Sequence, residues 1–261
     1  MPPILNGVTA AWADEEGAQK RVLDMSVGSG ETSRMLAAKH FTTIATEYYE
    51  VASLGNGIAS VGGVNLNLPL PFKSAAVDGV NLTEVIEHIE NQAQLVREIS
   101  RVLKVGGIVV ISTPNILNVV SRLRFLFTGF VRGRVRPAHY TKSHGGQAPN
   151  IYMIGLYELY YLLFHSGLEI VGLYKTKVKF ASWFFLPWVF PWMCILSFFG
   201  VIQAEKDPVQ RRYNWQILKH LFHPAALLSD NIVVKARKVS ASRALPLPNI
   251  SLAKDILSEA L

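Results

Sequence analysis

The chain has 261 residues, half of them apolar, one cysteine and a formal net charge of +7. That apolar share supports a sizeable core and excludes global disorder, while the lone Cys194 excludes a disulfide scaffold or a multi-cysteine metal centre; no metal site is expected. The charge is divided: residues 1–98 hold twelve acids and six bases, residues 99–261 hold seven acids and twenty bases, and no acid stands between Glu98 and Glu158. A basic half points to a phosphate-bearing partner, either nucleic acid or an anionic membrane surface. The opening MPPILNGVTAAWADEEG lacks a basic n-region and a long apolar run, so no cleaved signal peptide is expected. With the single cysteine this suits a cytoplasmic chain.

Taken in order, Arg21–Met25 reads as a strand, Ser26–Gly30 as a glycine-rich turn and Glu31–Lys39 as a helix with Thr32 or Ser33 near its start. Phe41–Thr46 is a second strand ending at Glu47. A short third strand is expected near Gly57–Val61 and a fourth over Ala76–Leu82. Glu90–Leu103 carries apolar residues at helical spacing, and Lys104-Val105-Gly106-Gly107 is expected to cap it. Ile108–Ser112 is uncharged and mostly β-branched, the pattern of a central parallel strand. Leu156–Ser166 predicts a helix closed by Gly167, Leu168–Val178 a sixth strand, Pro208–Leu228 an amphipathic helix interrupted by Pro224, and Asn231–Lys238 a last strand. Residues 1–240 form one domain on this reading, with insertions at 115–150 and 180–228, and 241–261 a polar tail.

Alternating strands and helices give an open α/β sheet, whose ligands bind beyond the carboxyl ends of the strands. The turn Asp24-x-Ser26-x-Gly28-x-Gly30 lies at that edge. Glu47, 19 residues after Gly28, ends the next strand, where a carboxylate can accept hydrogen bonds from ribose hydroxyls. The turn alone predicts no more than a tight strand–helix connection; the acid at that spacing shifts the balance toward a nucleoside site, with an NAD-binding dehydrogenase still open although GxGxxG is absent.

Together these segments resemble a known family. VLDMSVGSGETS at 22–33, ATEYYE at 45–50, LNLPLPFKSAAVDGVNLTEVIEHI at 66–89, EISRVLKVGGIVVISTPN at 98–115 and NIYMIGLYELYYLLFHSGLEIV at 150–171 are similar to the successive motifs of class I S-adenosylmethionine-dependent methyltransferases. The likeness is to their small-molecule branch, of the ubiquinone-biosynthesis O-methyltransferase type. The resemblance implies a doubly wound, mostly parallel seven-stranded sheet with its last strand antiparallel, and S-adenosyl-L-methionine as cofactor. It implies that Asp24, Ser26, Gly28 and Gly30 cradle the methionine part and the ribose. Glu47 would bind the ribose hydroxyls with Tyr48 beside the adenine, Asn67 and Leu68 would lie near the adenine ring, and Leu82, Thr83 and Glu84 would line the sulfonium side. Two positions depart from the pattern: Ser26 replaces the first glycine, and Asn67 stands where many members carry Asp.

Methyl transfer needs orientation and, for some acceptors, a base. His88, after the fourth strand, is the candidate base, with a capping or packing role as the equal alternative. On the acceptor side, 115–150 interleaves Arg122 and Arg124 with aromatic residues and contains His139 and His144. Such a pattern suits an interfacial helix on anionic lipid, a nucleic-acid groove, or a solvated basic face. The 23 residues 180–202 carry no charge. A single membrane crossing would separate two strands that must pair, and Pro187 and Pro191 are expected to interrupt a helix. This points to a shallow, re-entrant or interface-lying segment, with a buried helix or a homo-oligomer interface as the alternative. The reading is then a methyltransferase with a small, lipophilic or lipid-linked acceptor, peripheral on the inner face of a membrane. A nucleic-acid methyltransferase is less favoured, because Leu82-Thr83-Glu84-Val85 replaces the acceptor signature of base-methylating members. A non-catalytic binding protein on the same fold is the third class.

Overall fold

The computed structural model describes residues 3–49, 53–55, 57–130 and 152–239. Strands β1 (Arg21–Met25), β2 (Thr42–Thr46), β3 (Ile58–Val61), β4 (Val77–Thr83), β5 (Leu103–Pro114), β6 (Leu168–Lys175) and β7 (Asn231–Lys238) form one sheet in the order β3-β2-β1-β4-β5-β7-β6. β1 pairs in parallel with β2 and β4, and β4 with β5, whereas β7 runs antiparallel to both β5 and β6. This is the expected doubly wound sheet. The chain leaves β1 in one direction through β2 and β3 and returns on its other side as β4, so the topological switch point lies between the carboxyl ends of β1 and β4.

The central strands are buried because helices cover both faces. On one face α3 (Gln92–Val102) and α5 (Leu156–His165) pack Leu95, Ile99, Leu159 and Leu163 against Leu23, Val80, Leu82 and Ile111. Asn91 caps α3 by accepting from the Gln94 amide. On the other face α1 (Pro3–Ala11) and α2 (Glu31–Ala38) bring Val8, Ala11, Trp12 and Leu36 against Val22, Ile108, Val110 and Val233.

Helix α1 was not among the expected elements. Its sequence, PILNGVTAA, has no acid in its first turn, no base in its last, and Gly7 in its middle. It forms because Trp12, just beyond its end, has a place in the sheet: Gly79 has no side chain, and a Cβ there would lie 2.6 Å from the Trp12 ring. Gly79→Ala should therefore lower stability by about 1–3 kcal/mol through overpacking. Urea unfolding checks this, and an unchanged midpoint would show that the ring can move aside.

Two further expectations are corrected. Lys104–Gly107 does not cap α3; it belongs to β5, which begins at Leu103 with no intervening turn. Gly106 takes a left-handed φ of 82°, and the register of β4 on β5 shifts between Val77 and Gly79, so the irregularity is absorbed inside the ladder. Nor do Pro187 and Pro191 interrupt a helix. α6 runs unbroken over Phe180–Ser197 and continues as a π-helical segment, Phe198–Gln203. The two missing donors lie one turn apart on one face, so only the Trp183 and Pro187 carbonyls lose their partners while the flanking turns stay bonded. α4 (Val119–Thr128), α7 (Pro208–Leu221) and α8 (Pro224–Leu228) complete the order, the break at Pro224 falling where expected. The tail at 241–261 and residues 131–150 lie outside the described residues.

Candidate active site at the switch point

The turn after β1 is shaped by three left-handed residues, Ser26 (φ 55°), Gly28 (51°) and Gly30 (74°). Serine at the first position thus adopts the angle that a glycine would take. A Cβ at Gly28 would meet nothing within 4 Å, so the turn presents bare backbone outward. At Gly30 a Cβ would lie 2.6 Å from Leu54, which makes that glycine a packing requirement. Glu47 closes the turn from the end of β2. Its carboxylate accepts from the Gly28 amide at 3.3 Å, the Ser26 hydroxyl at 3.4 Å and the Tyr48 amide at 2.9 Å. A carboxylate has about four acceptor positions, so capacity remains for a hydroxyl ligand. Tyr48 is exposed beside it, edge-on to Tyr49.

Asp24 has a different place from the one expected. Its carboxylate turns inward, fully buried, accepting from the Ser33 hydroxyl at 2.5 Å and the Asn81 amide at 2.8 Å, while Asn81 in turn accepts from the Trp12 indole at 3.1 Å. Burial pushes the Asp24 carboxyl up to about 6, against the opposing effect of the two hydrogen bonds. Asp24 therefore ties the first turn of α2 to β4 beneath the glycine turn. Asn67 is likewise occupied: its side-chain oxygen accepts from the Glu90 and Asn91 amides, and Leu68 is exposed next to it.

At the end of β4, Leu82 is buried and Thr83 and Glu84 are half-buried. Glu84 has a left-handed φ of 55°, uncommon for a residue with a side chain. Its carboxylate accepts from the Ser112 hydroxyl of β5 at 2.9 Å and the Asn231 amide of β7 at 2.5 Å. Ser26 and Glu84, both in this strained region, thus flank the switch point from adjacent strands, the placement expected of a functional edge. His88 lies on the 3₁₀ turn Ile86–His88 immediately beyond, half-buried.

The segments expected on the acceptor side start from the same edge. Asn115, at the end of β5, donates to the carbonyls of Ala226 (2.8 Å) and Ser229 (2.9 Å), fixing α8; Asn118 caps α4. Arg122 on α4 donates to the Leu117 carbonyl at 2.7 Å and to that of Leu221 at 3.4 Å, and desolvation lowers its guanidinium to about 10. Arg124 lies half-buried on the same helix, while His139 and His144 fall outside the described residues. Sequence reasoning missed Trp12, Ser33, Asn81, Asn115, Asn118 and Asn231. For Asn81 the available signal was a polar amide inside an otherwise apolar strand, a position that must find partners. A hollow of about 750 Å³ lined by Tyr160, Arg212, Tyr213 and His220 lies elsewhere, beside the start of β6, and shares no residue with this edge.

Comparison with known proteins agrees with the geometry. Residues 23–111 match the family model described as a methyltransferase domain. A probable S-adenosylmethionine-dependent methyltransferase of Mycobacterium tuberculosis is 38% identical over 97 residues, 36% of this chain and 35% of that protein. One from Mycolicibacterium smegmatis is 37% identical over 102 residues, 38% of this chain and 39% of that protein. The matched stretch thus spans little more than a third of these relatives' length. Among solved structures, an S-adenosylmethionine-dependent methyltransferase from Archaeoglobus fulgidus superposes with a TM-score of 0.52 at 16% identity, over 90% of this chain and 93% of that one. The 1,6-didemethyltoxoflavin-N1-methyltransferase of Burkholderia thailandensis, bound to S-adenosylhomocysteine, gives 0.52 at 12% identity over 91% and 79%.

Proposed function

We propose that this class I S-adenosylmethionine-dependent methyltransferase transfers a methyl group to a small, lipophilic or lipid-linked acceptor at a membrane surface. The observation that carries the methyl-transfer part is the Glu47 carboxylate bonded to the Gly28 amide at the switch point, above a turn with no side chain to fill it. A nucleoside with a charged amino-acid tail fits that arrangement: the glycine turn lets the tail approach bare backbone, Glu47 takes a ribose hydroxyl, and Tyr48 offers a ring face to the base.

S-adenosylmethionine, when bound, supplies an electrophilic methyl on a sulfonium centre. The protein's part is positioning and proton handling. Thr83 ends β4 and Glu84 follows it; they would line the sulfonium side, and Ser112 and Asn231 hold the Glu84 carboxylate in place. His88, on the turn just beyond, is the candidate base that would take a proton from an acceptor hydroxyl as its oxygen attacks. A His88→Gln chain that turns over as fast as the wild type would remove His88 from that step.

The lipophilic acceptor is supported by the position of α6. Its first residues are anchored at the same sheet edge: the Lys179 amide donates to the Leu228 carbonyl at 3.0 Å and the Lys179 ammonium pairs with Asp230 at 2.8 Å. An uncharged helix therefore begins beside the edge at which the methyl would be delivered, on a chain we read as peripheral to the cytoplasmic face. The test is incubation with radiolabelled S-adenosylmethionine and extracted membrane lipid. Label entering the organic phase supports the reading, and label confined to water-soluble products overturns the acceptor class.

A further inference from the structure

We propose that α6 and its π-helical extension lie flat in one leaflet of an anionic bilayer, with the C-terminal half of α4 beside them, as a monotopic docking platform. The proposal deepens the acceptor reading by naming the surface that presents the acceptor, and it stands on separate observations.

The first is exposure. Phe180–Gln203 is 24 residues long and apolar enough to cross a membrane, yet only 6% of its most apolar stretch is buried in the protein. Trp188 is 73% exposed, and on α4, which packs against α6, Phe127 is 79% exposed. A contiguous apolar surface on this scale is normally covered by a partner or a membrane.

The second is topology. A crossing would leave the following chain on the far side of the bilayer, but β6 before the helix and β7 after it are hydrogen-bonded neighbours from Leu168↔Lys238 to Lys175↔Ile232. The chain returns through α7, which is fastened to the domain by the Tyr213–Phe164 ring contact and to the π-helical segment by the Asn214 amide on the Val201 carbonyl. α7 carries Arg211, Arg212 and Lys219, so it cannot serve as a second crossing.

The third is the distribution of anchors. In a crossing helix tryptophans gather at the two ends, at headgroup level. Here Trp188 and Trp192, four residues apart on one face and in the middle of the Phe180–Gln203 span, are exposed, where a crossing would put them at the bilayer centre.

Charge chooses the lipid. Lys177 precedes the helix, Lys206 follows it, and Arg211 and Arg212 stand on α7, all exposed. Of the nearby acids, Asp207 is engaged in capping α7, and Asp230 in its pair with Lys179. Glu205 uses one carboxylate oxygen to accept from the Asp207 amide. A basic rim around an apolar face matches an anionic leaflet.

The experiment is flotation of the full chain with vesicles of equal phosphatidylcholine and phosphatidylglycerol, against phosphatidylcholine alone. The wild type should float with the anionic vesicles, and Trp188→Ser with Trp192→Ser, both exposed, should lower the partition coefficient at least about tenfold. That double variant should keep its melting temperature and its S-adenosylmethionine affinity, which separates docking from folding. Depth is then read with a fluorophore on Cys194, and on Phe184→Cys and Phe199→Cys in a Cys194→Ser background, using lipids quenched at known depths. Equal shallow depths at the three sites are expected. Depths that run through the bilayer centre would overturn the in-plane placement, and equal binding to neutral vesicles would overturn the charge argument. Absence of flotation overturns the proposal, and a wild-type dimer dispersed by the double variant would then assign the face to a second copy. If the chain floats but no lipid is methylated, the acceptor reading falls and the platform stands; if lipid is methylated without flotation, the reverse holds.

Discussion

Replacing Glu47 with alanine should weaken S-adenosylmethionine binding by up to about 100-fold, since a hydrogen bond to a charged acceptor contributes about 1.5–3 kcal/mol and one acceptor position of the carboxylate remains for a ribose hydroxyl. The structure adds a reason for the effect to be large. Glu47 also accepts from the Gly28 and Tyr48 amides, so its loss loosens the turn as well as removing the diol acceptor. Glu47→Gln should keep the shape and one good acceptor and cost about tenfold. Both can be read by isothermal titration. The carboxylate is half-buried at a loop, so the melting temperature of Glu47→Gln should change little. Equal affinity for the wild type and Glu47→Ala would eliminate Glu47 as the ribose ligand.

That the acid at 47 could be singled out from sequence has a physical basis. Local punctuation marks strands and turns: β1 ends at a glycine turn, α2 fills the next stretch, and β2 brings its own end back to the same edge. The resulting spacing is a property of one strand–helix–strand unit and is visible in 20–30 consecutive residues. The other strands were legible in outline from the same local punctuation, although β5 was expected to begin only at Ile108.

What was not legible depends on neighbours distant in the chain. Trp12, Asp24, Ser33 and Asn81 form one buried hydrogen-bonded row, and the Trp12–Asn81 and Asn81–Asp24 links span 69 and 57 residues. They meet only because β4 pairs with β1 rather than with β3, a choice that no local pattern encodes. α1 escaped notice likewise, because its cause is the empty position at Gly79 on a strand far along the chain. The strand at Leu103 was misplaced because a glycine pair reads as a stop for the preceding helix, whereas here Gly106 serves a bulge inside the ladder. In α6 the prolines suggested breaks, but they stand four residues apart, so both missing donors fall on one face and the helix persists on either side of each.

The inward turn of Asp24 leads to the second large effect, which is one of stability. Burial raises its carboxyl from 3.8 to about 6. Below pH 3.8 the folded and unfolded chains both hold the proton and the shift has no consequence. Between that value and about 6 the unfolded chain releases the proton while the folded chain retains it, so stability falls as pH rises. Above about 6 the loss is complete, at about 3 kcal/mol for a shift of this size. Asp24→Asn has nearly the same shape and no charge; its oxygen can accept from Asn81 and its amide can donate to the Ser33 hydroxyl. The variant should therefore match the wild type near pH 4 and exceed it by up to about 3 kcal/mol at pH 7.5, as read by urea unfolding across that range. A constant difference at every pH would show that the carboxyl does not titrate in this window. A chain that keeps so costly a carboxylate under its glycine turn, when a neutral amide would fit, points to a use for the negative charge. The sulfonium of the cofactor is cationic, so saturating S-adenosylmethionine should stabilise Asp24→Asn less than it stabilises the wild type. An equal thermal shift in both chains would restrict Asp24 to holding α2 against β4.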